Sequence, residues 1–265
     1  MTLTRYGIRE WGSALAASIV LWAGCFVLFS YDCVEAALIG AAIVLVLFIA
    51  FAAFFRNPRR HLPDDVKLLT SPADGTVRDI EVVHDFDLPP FTGDAMRVGI
   101  FLSVLNVHVN RTPAELTVAN VNYRPGKYLD ARNPKCGQEN EAMTISGEAK
   151  VEDRTFPMAI RQISGAIARR IVCPVQPGRK LKRGEIYGMI KFGSRTELYL
   201  PVEGFEIKVK VGDKVKGGES VIAAMVADAE KKEADAAEDA VEKKEAAAAV
   251  VAADDAAGNK EADGK

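Results

Sequence analysis

Two long apolar runs, separated only by Tyr31-Asp32-Cys33, decide how the amino-terminal part of this chain can fold. Ala14 to Ser30 is almost wholly apolar, and Val34 to Phe55 is broken only by Glu35 near its start. A helix needs about 20 apolar residues to cross a hydrocarbon core of about 30 Å. The second run meets that length, and Trp11 and Tyr31 extend the first with rings that favour the bilayer interface. Arg5 and Arg9 precede the pair; Arg56, Arg59 and Arg60 follow it. Cationic flanks stay on the cytoplasmic side. The pattern therefore predicts a helical hairpin over residues 1–60 in the cell membrane, both ends in the cytoplasm, with the body of the chain on the cytoplasmic face. A re-entrant hairpin within one leaflet satisfies the same pattern. A secretory signal has one shorter apolar core and no second run. A lipoprotein signal needs small residues before Cys25, where the bulky Trp22 stands.

The net charge of −2 over 265 residues gives no basic field for nucleic acid. Charge is uneven, however. Val226 to Lys265 carries −6, which leaves about +4 for the remainder. That carboxyl-terminal stretch is almost entirely Ala, Glu, Asp, Lys and Val. It holds too few large apolar side chains to form a core, so residues 227–265 are expected to be a solvated acidic tail. The four cysteines, Cys25, Cys33, Cys136 and Cys173, have neither disulfide-framework nor metal-ligand spacing, so no metal is expected and a reducing compartment fits.

Between Leu68 and Val226 no long amphipathic helical period occurs. Short β-branched runs recur instead, over Thr76–Val83, Met96–Ser103, Glu115–Tyr123, Met143–Val151, Thr155–Ile163 and Ala168–Val172, punctuated by Gly, Pro, Asn and Asp. Residues 61–226 thus read as a mainly β domain. Gly178-Arg179-Lys180-Leu181-Lys182-Arg183-Gly184-Glu185 matches Gly212-Asp213-Lys214-Val215-Lys216-Gly217-Gly218-Glu219. This repeat resembles the hammerhead units of biotinyl and lipoyl carrier domains, which implies a barrel-sandwich fold. It also raises a rival reading, a non-catalytic, membrane-tethered lipoyl-like interaction module. A carrier presents a lysine at a hairpin tip beside methionine or small residues, and none stands in that place.

Candidate chemistry is confined to a few residues. Met189 to Leu198 has strand-like alternation, with Gly193-Ser194 inside it. One reading is a bulge. The other is a self-cleaving linkage. Gly193 lacks a Cβ, so its carbonyl is open to attack and its backbone tolerates strain, and the Ser194 hydroxyl is adjacent. Of the histidines, His61 follows two arginines, His84 sits in a polar stretch read as a loop, and His108 stands in Asn106-Val107-His108-Val109-Asn110-Arg111 after an apolar strand. Ser71-Pro72-Ala73-Asp74-Gly75 reads as a turn. Its aspartate either bonds local backbone or holds an imidazole in one tautomer, as a triad carboxylate does.

Ser71-Pro72-Ala73-Asp74-Gly75, Asn106-Val107-His108-Val109-Asn110-Arg111 and Phe192-Gly193-Ser194-Arg195 occur in the order seen in phosphatidylserine decarboxylase proenzymes. The Phe-Gly-Ser form resembles the short bacterial and archaeal type, and Phe55-Arg56-Asn57-Pro58 is similar to the segment that leads into the family's domain. The resemblance implies autocatalytic serinolysis between Gly193 and Ser194, giving a β chain (1–193) and an α chain (194–265) that stay together as a heterodimer, with a higher oligomer also allowed. It implies that Ser194 becomes a covalent pyruvoyl group, the only cofactor, and that the substrate is phosphatidylserine in the membrane, decarboxylated to phosphatidylethanolamine. Asp74 and His108 are expected to assist cleavage. His108, at its ordinary pKa of about 6.5, is expected to supply the proton after carbon dioxide leaves. Several family members carry a second histidine where Arg111 stands here, so either His108 serves alone or the family roles shift. A pyruvoyl enzyme for a soluble amino acid would have no use for the hairpin. Arg111, Asn110 and Asn140 are candidates for the phosphate.

Overall fold

The computed structural model describes residues 2–166, 170–191 and 193–226. The expected acidic tail, residues 227–265, lies outside them. The two apolar runs form α1 (Ile8–Ser30) and α2 (Val34–Phe54), with Asp32 in the left-handed region at the turn between them. Both helices are long and apolar enough to cross a membrane, and their apolar side chains are largely uncovered. Trp22 Nε1 donates to the Ala41 carbonyl at 3.1 Å and ties one helix to the other. α1 starts before the apolar run because its polar first turn is anchored elsewhere: Glu10 meets Lys191 Nζ at 2.5 Å. α2 stops at Phe54 because the next ring, Phe55, turns into the body and is fully buried.

The hairpin's two ends are joined. β1 (Thr2–Leu3) pairs antiparallel with β2 (Arg56–Asn57), and Thr4 N–H donates to the Phe55 carbonyl at 2.8 Å. Chain entry and exit therefore lie side by side, against the same edge of the body.

The body follows as β3 (Leu68–Thr70), β4 (Gly75–Leu88), β5 (Phe91–Leu102), β6 (Val109–Arg111), β7 (Glu115–Arg124), the one-turn α3 (Cys136–Glu139), β8 (Ala142–Val151) and β9 (Arg154–Ile163). After these come β10 (Arg170–Val172), β11 (Lys180–Leu181), β12 (Ile186–Lys191), β13 (Ser194–Pro201), β14 (Phe205–Ile207), β15 (Lys214–Val215) and β16 (Val221–Met225). Five of the six strands expected from alternation occur at nearly the expected bounds. Of the sixth, Ala168 and Arg169 lie outside the described residues and Arg170–Val172 is strand. His84, read as part of a loop, lies in β4, because the long β4–β5 hairpin extends past the apolar alternation.

An eight-stranded sheet in the order β11-β7-β8-β9-β13-β5-β4-β15 forms the centre. Two three-stranded sheets, β10-β12-β6 and β14-β16-β3, complete a curled, largely antiparallel assembly. Register shifts in the β4–β5, β7–β8 and β12–β6 pairs supply local kinks that add to the twist. The repeat noted in the sequence sits at the two edges. β11 pairs with β7 and β15 with β4. Gly178 N–H donates to the Val118 carbonyl at 2.7 Å, and Gly212 N–H donates to the Val77 carbonyl at 2.8 Å. The partner segments match too: Pro72-Ala73-Asp74-Gly75-Thr76-Val77 corresponds to Pro113-Ala114-Glu115-Leu116-Thr117-Val118. Each edge is thus closed by the same unit, which blunts both open ladders.

β13 is the central strand, flanked by β5 and β9 and buried from Ser194 to Leu200. Alternation gives it two faces. Ser194, Thr196 and Leu198 point one way; Arg195, Glu197 and Tyr199 point the other. On the second face Arg195 makes two contacts of 2.7 Å with Asp79 and one of 2.8 Å with Glu197. The Tyr199 hydroxyl donates to Glu197 at 2.6 Å, while Arg161 and Arg97 stand 3.7 and 3.9 Å from that carboxylate. Burial, then the neighbouring Glu197, pushes the Tyr199 phenol far up and keeps it a donor. Glu197 has no exposed side-chain surface, so removing it strands several cations. Glu197→Ala is expected to cost roughly 3–5 kcal/mol, read as a lowered midpoint of thermal unfolding in detergent; an unchanged midpoint would refute the role given to this network.

Candidate active site

The run from Met189 to Leu198 is not one bulged strand. β12 ends at Lys191 in a three-stranded sheet, and β13 begins at Ser194 in the eight-stranded one. The chain changes sheets between Lys191 and Ser194; Phe192 lies outside the described residues. Gly193 has φ +57°, in the left-handed region that side chains disfavour. Its carbonyl is held closely from the other side: a Cβ added to Gly165 would fall 2.3 Å from the Gly193 oxygen. The next residue, Ser194, is fully buried, and its Oγ has no hydrogen-bond partner among the described residues. An orphaned hydroxyl in a protein interior costs about 1–3 kcal/mol, so it calls for a reason.

His108 is brought to this point by the loop that follows β5. Asn106 fastens the loop on itself, its Oδ1 accepting from Ser103 N–H at 2.8 Å and from the Ser103 hydroxyl at 2.7 Å. The Asn106 carbonyl lies 2.9 Å from His108 Nδ1. A carbonyl only accepts, so Nδ1 carries the proton and Nε2 is the free acceptor. Nε2 accepts from Gly193 N–H at 3.3 Å. The Phe54 ring, from the end of α2, covers the imidazole with centroids 4.3 Å apart. Burial is the largest influence on this histidine. With Arg56 nearby, and against the opposing Asn106 bond, it lowers the pKa to about 4. The expectation of an imidazole titrating near 6.5 is therefore corrected. At neutral pH His108 is an uncharged acceptor.

Asp74 is placed differently from the triad-like expectation. Its carboxylate accepts from Arg60 Nη2 at 2.7 and 2.8 Å and from Gly217 N–H at 2.8 Å. Arg60 also reaches Glu219 at 3.2 Å. The imidazole is oriented by the Asn106 carbonyl instead, because Asp74 is occupied by the turn of the second repeat. The equivalent residue of the other repeat, Glu115, is exposed.

The three phosphate candidates are committed to the protein itself. Arg111 donates to Asn57 Oδ1 (2.8 Å), the Gly184 carbonyl (3.0 Å) and the Pro58 carbonyl (3.2 Å), clipping the segment that leaves the hairpin. Asn110 donates to Thr196 Oγ1 at 3.0 Å and accepts from Gln162 Nε2 at 2.8 Å. Asn140 donates to the Leu129 and Ser164 carbonyls, each at 2.8 Å, which sets the backbone ahead of Gly165.

The structure thus brings together Gly193, Ser194 and His108 and adds residues not singled out in the sequence: Asn106, Phe54, Gly165, Gln162 and Ser164. Gln162 Oε1 and Ser164 Oγ, like Ser194 Oγ, are buried without partners among the described residues. A Ser-Gly pair ending β9 was the one available sign of Ser164-Gly165. His84 is remote, exposed and paired with Asp94 at 2.9 Å. Among the described residues no group of three His, Cys, Asp or Glu side chains is placed to hold a metal ion.

Comparison with known proteins agrees with the ordered motifs. The pattern of the family described as Phosphatidylserine decarboxylase matches residues 47–223. The chain is similar to the Phosphatidylserine decarboxylase proenzyme of Carboxydothermus hydrogenoformans, 45% identical over 180 residues, 68% of this chain and 82% of that protein. The proenzyme of Rhodopirellula baltica is 47% identical over 185 residues, 69% of this chain and 75% of its own. That of Nitratidesulfovibrio vulgaris is 44% identical over 192 residues, covering 71% and 85% respectively. With a pattern that takes in both β-sheet edges, His108 and the Gly193-Ser194 linkage, this chain belongs to the phosphatidylserine decarboxylase family.

Proposed function

We propose that this protein decarboxylates phosphatidylserine to phosphatidylethanolamine, using a pyruvoyl group made from its own Ser194. The observation that carries this reading is the buried Ser194 hydroxyl, without a partner among the described residues, directly after a left-handed Gly193 whose amide rests on a neutral imidazole. Ser194 Oγ attacks the Gly193 carbonyl carbon. The C–O bond forms and the C–N bond breaks, and the hydroxyl proton passes through His108 Nε2 to the departing nitrogen. The resulting ester loses the Ser194 α-proton and Gly193 departs as a carboxylate. Water then replaces the nitrogen, which leaves as ammonia. Strain at Gly193 is relieved as the bond opens, and Gly165 fixes the carbonyl while it is attacked.

The site fits the product. Residue 194 sits at the start of the central strand, one position before the Arg195–Ile163 pair, and Gln162 and Ser164, on either side of Ile163, carry buried polar atoms with no partner among the described residues. The pyruvoyl ketone supplies an electron sink for loss of carbon dioxide from the serine headgroup. As carbon dioxide leaves, the reacting carbon gains one proton, which neutral His108 takes from water at Nε2 and passes to that carbon. Arg195, bound to Asp79 and Glu197, pins the new chain end, and the β13 ladders to β5 and β9 hold the α and β chains together. Asp74 is a positioning residue. Through Arg60 it fixes the segment that presses Phe54 on His108. The closed sheet edges fit a barrel-sandwich domain over residues 61–226, and the hairpin, crossing the bilayer with both ends cytoplasmic, holds the site beside its lipid. The repeated edge units alone would equally suit a non-catalytic tethered module.

Wild-type protein is expected to run as two fragments on a denaturing gel and Ser194→Ala as one; two fragments from Ser194→Ala would exclude this linkage. His108→Ala should lower turnover of phosphatidylserine at least about a hundredfold, with free serine inert in all variants. Cleavage of the precursor, followed against pH, should hold level through neutrality and fall with a midpoint near 4 as His108 is protonated. The unfolded chain takes up this proton near pH 6.5, so the folded state also loses stability between about 6.5 and 4. A midpoint near 6.5 for cleavage would contradict a buried imidazole.

A further inference from the structure

The Ser103–Val107 loop buries Val107 but turns Val104 and Leu105 outward. Leu105 is 84% exposed and Val104 44%, although the loop lies in the interior-facing stretch that delivers His108. It cannot shed this exposure by folding inward, because Asn106 ties Ser103 by side chain and by backbone, its N–H donating to the Ser103 carbonyl at 2.9 Å. A rigid loop presenting two adjacent apolar side chains to water is costly unless something apolar covers them.

Its surroundings identify the cover. Arg56, immediately after α2, donates to the Leu105 carbonyl at 2.6 Å and to the Ala53 carbonyl at 2.9 Å. One guanidinium thus joins the tip of the loop to the last turn of an apolar helix long enough to cross a membrane. Arg5, Arg9 and Arg59 stand exposed around the same end of the hairpin, where anionic headgroups would meet them. On its inner side the loop reaches the reaction centre. Val104 Cγ2 is the nearest neighbour a Gly193 Cβ would meet, at 3.9 Å, and the Asn106 carbonyl orients His108.

We infer that the Val104–Leu105 tip enters the interfacial layer of the bilayer that holds α1 and α2 and forms the doorway through which a diacyl anionic lipid reaches Gly193-Ser194. This rests on the decarboxylase reading above. Burial of a leucine side chain at the headgroup–acyl boundary, as for interfacial anchors, seats the loop at a fixed depth. The lipid headgroup then has only the thickness of the loop to cross.

The test uses the full-length protein reconstituted in phosphatidylcholine vesicles containing long-chain phosphatidylserine, with a short-chain, monomerically soluble phosphatidylserine as the second substrate. For Leu105→Ser the ratio of vesicle turnover to short-chain turnover should fall roughly tenfold relative to wild type, the equivalent of one lost leucine contact. Leu105→Trp, whose ring favours the interface, should keep the wild-type ratio. Wild-type protein inactive on both lipids would overturn the decarboxylase reading and this inference with it. Wild-type protein active on both, with an unchanged ratio in Leu105→Ser, would overturn the inference alone. So would an equal loss on both lipids, which marks a folding role, or a change in sedimentation on Leu105→Ser, which marks a second copy of the chain as the cover.

Discussion

The close contact between Gly165 and the carbonyl of Gly193 is what the rest of the site depends on. At Gly193 the chain leaves a small sheet for the central strand of a large one, so the backbone is bound by ladders on both sides of the break. It cannot relax by sliding a register, because β13 is paired over its length with β5 and from Arg195 to Tyr199 with β9. The conformation at φ +57° is therefore imposed by tertiary structure. Asn140 sets the backbone ahead of Gly165 through the Ser164 carbonyl, and Asn110 with Gln162 fixes Thr196 below Ser194. Buried amides build the frame, and the Ser194 hydroxyl is left without a partner among the described residues.

The electrostatics are divided between the faces of β13. The Asp79–Arg195–Glu197 network on one face is dense in charge and pins the strand. On the other, His108 lies in a dry setting beneath Phe54, which removes its charge. A neutral imidazole with Nδ1 occupied by a carbonyl has one free acceptor, and it points at the Gly193 amide. The hairpin supplies Phe54, Arg56 and Glu10 to this neighbourhood, so its role extends from anchorage to the wall and the supports of the site.

Much of this was legible in the sequence, and the reasons for the remainder are physical. The hairpin followed from apolar length and flanking arginines, and the strands from β-branched alternation between turn residues. Gly193, Ser194 and His108 were visible because each stands in a distinctive local setting. The sheet switch was hidden because alternation continues through it, and only the pairing partners differ. The pKa of His108 was missed because burial is a tertiary property. The partners of Asp74 were not legible because Arg60 and Gly217 come from the hairpin exit and the second repeat. Arg111, Asn110 and Asn140 look like ligands in a sequence, since their polarity does not reveal that backbone and side-chain partners already occupy them.

The central claim is that one peptide linkage is spent to create a ketone that no standard side chain provides. Intact-mass measurement of the smaller fragment of the purified active protein tests it most directly. A fragment beginning at position 194, blocked at its amino terminus and lighter than the serine-terminated peptide by the mass of ammonia, is the predicted result. A single active polypeptide with an ordinary serine at that position would contradict it.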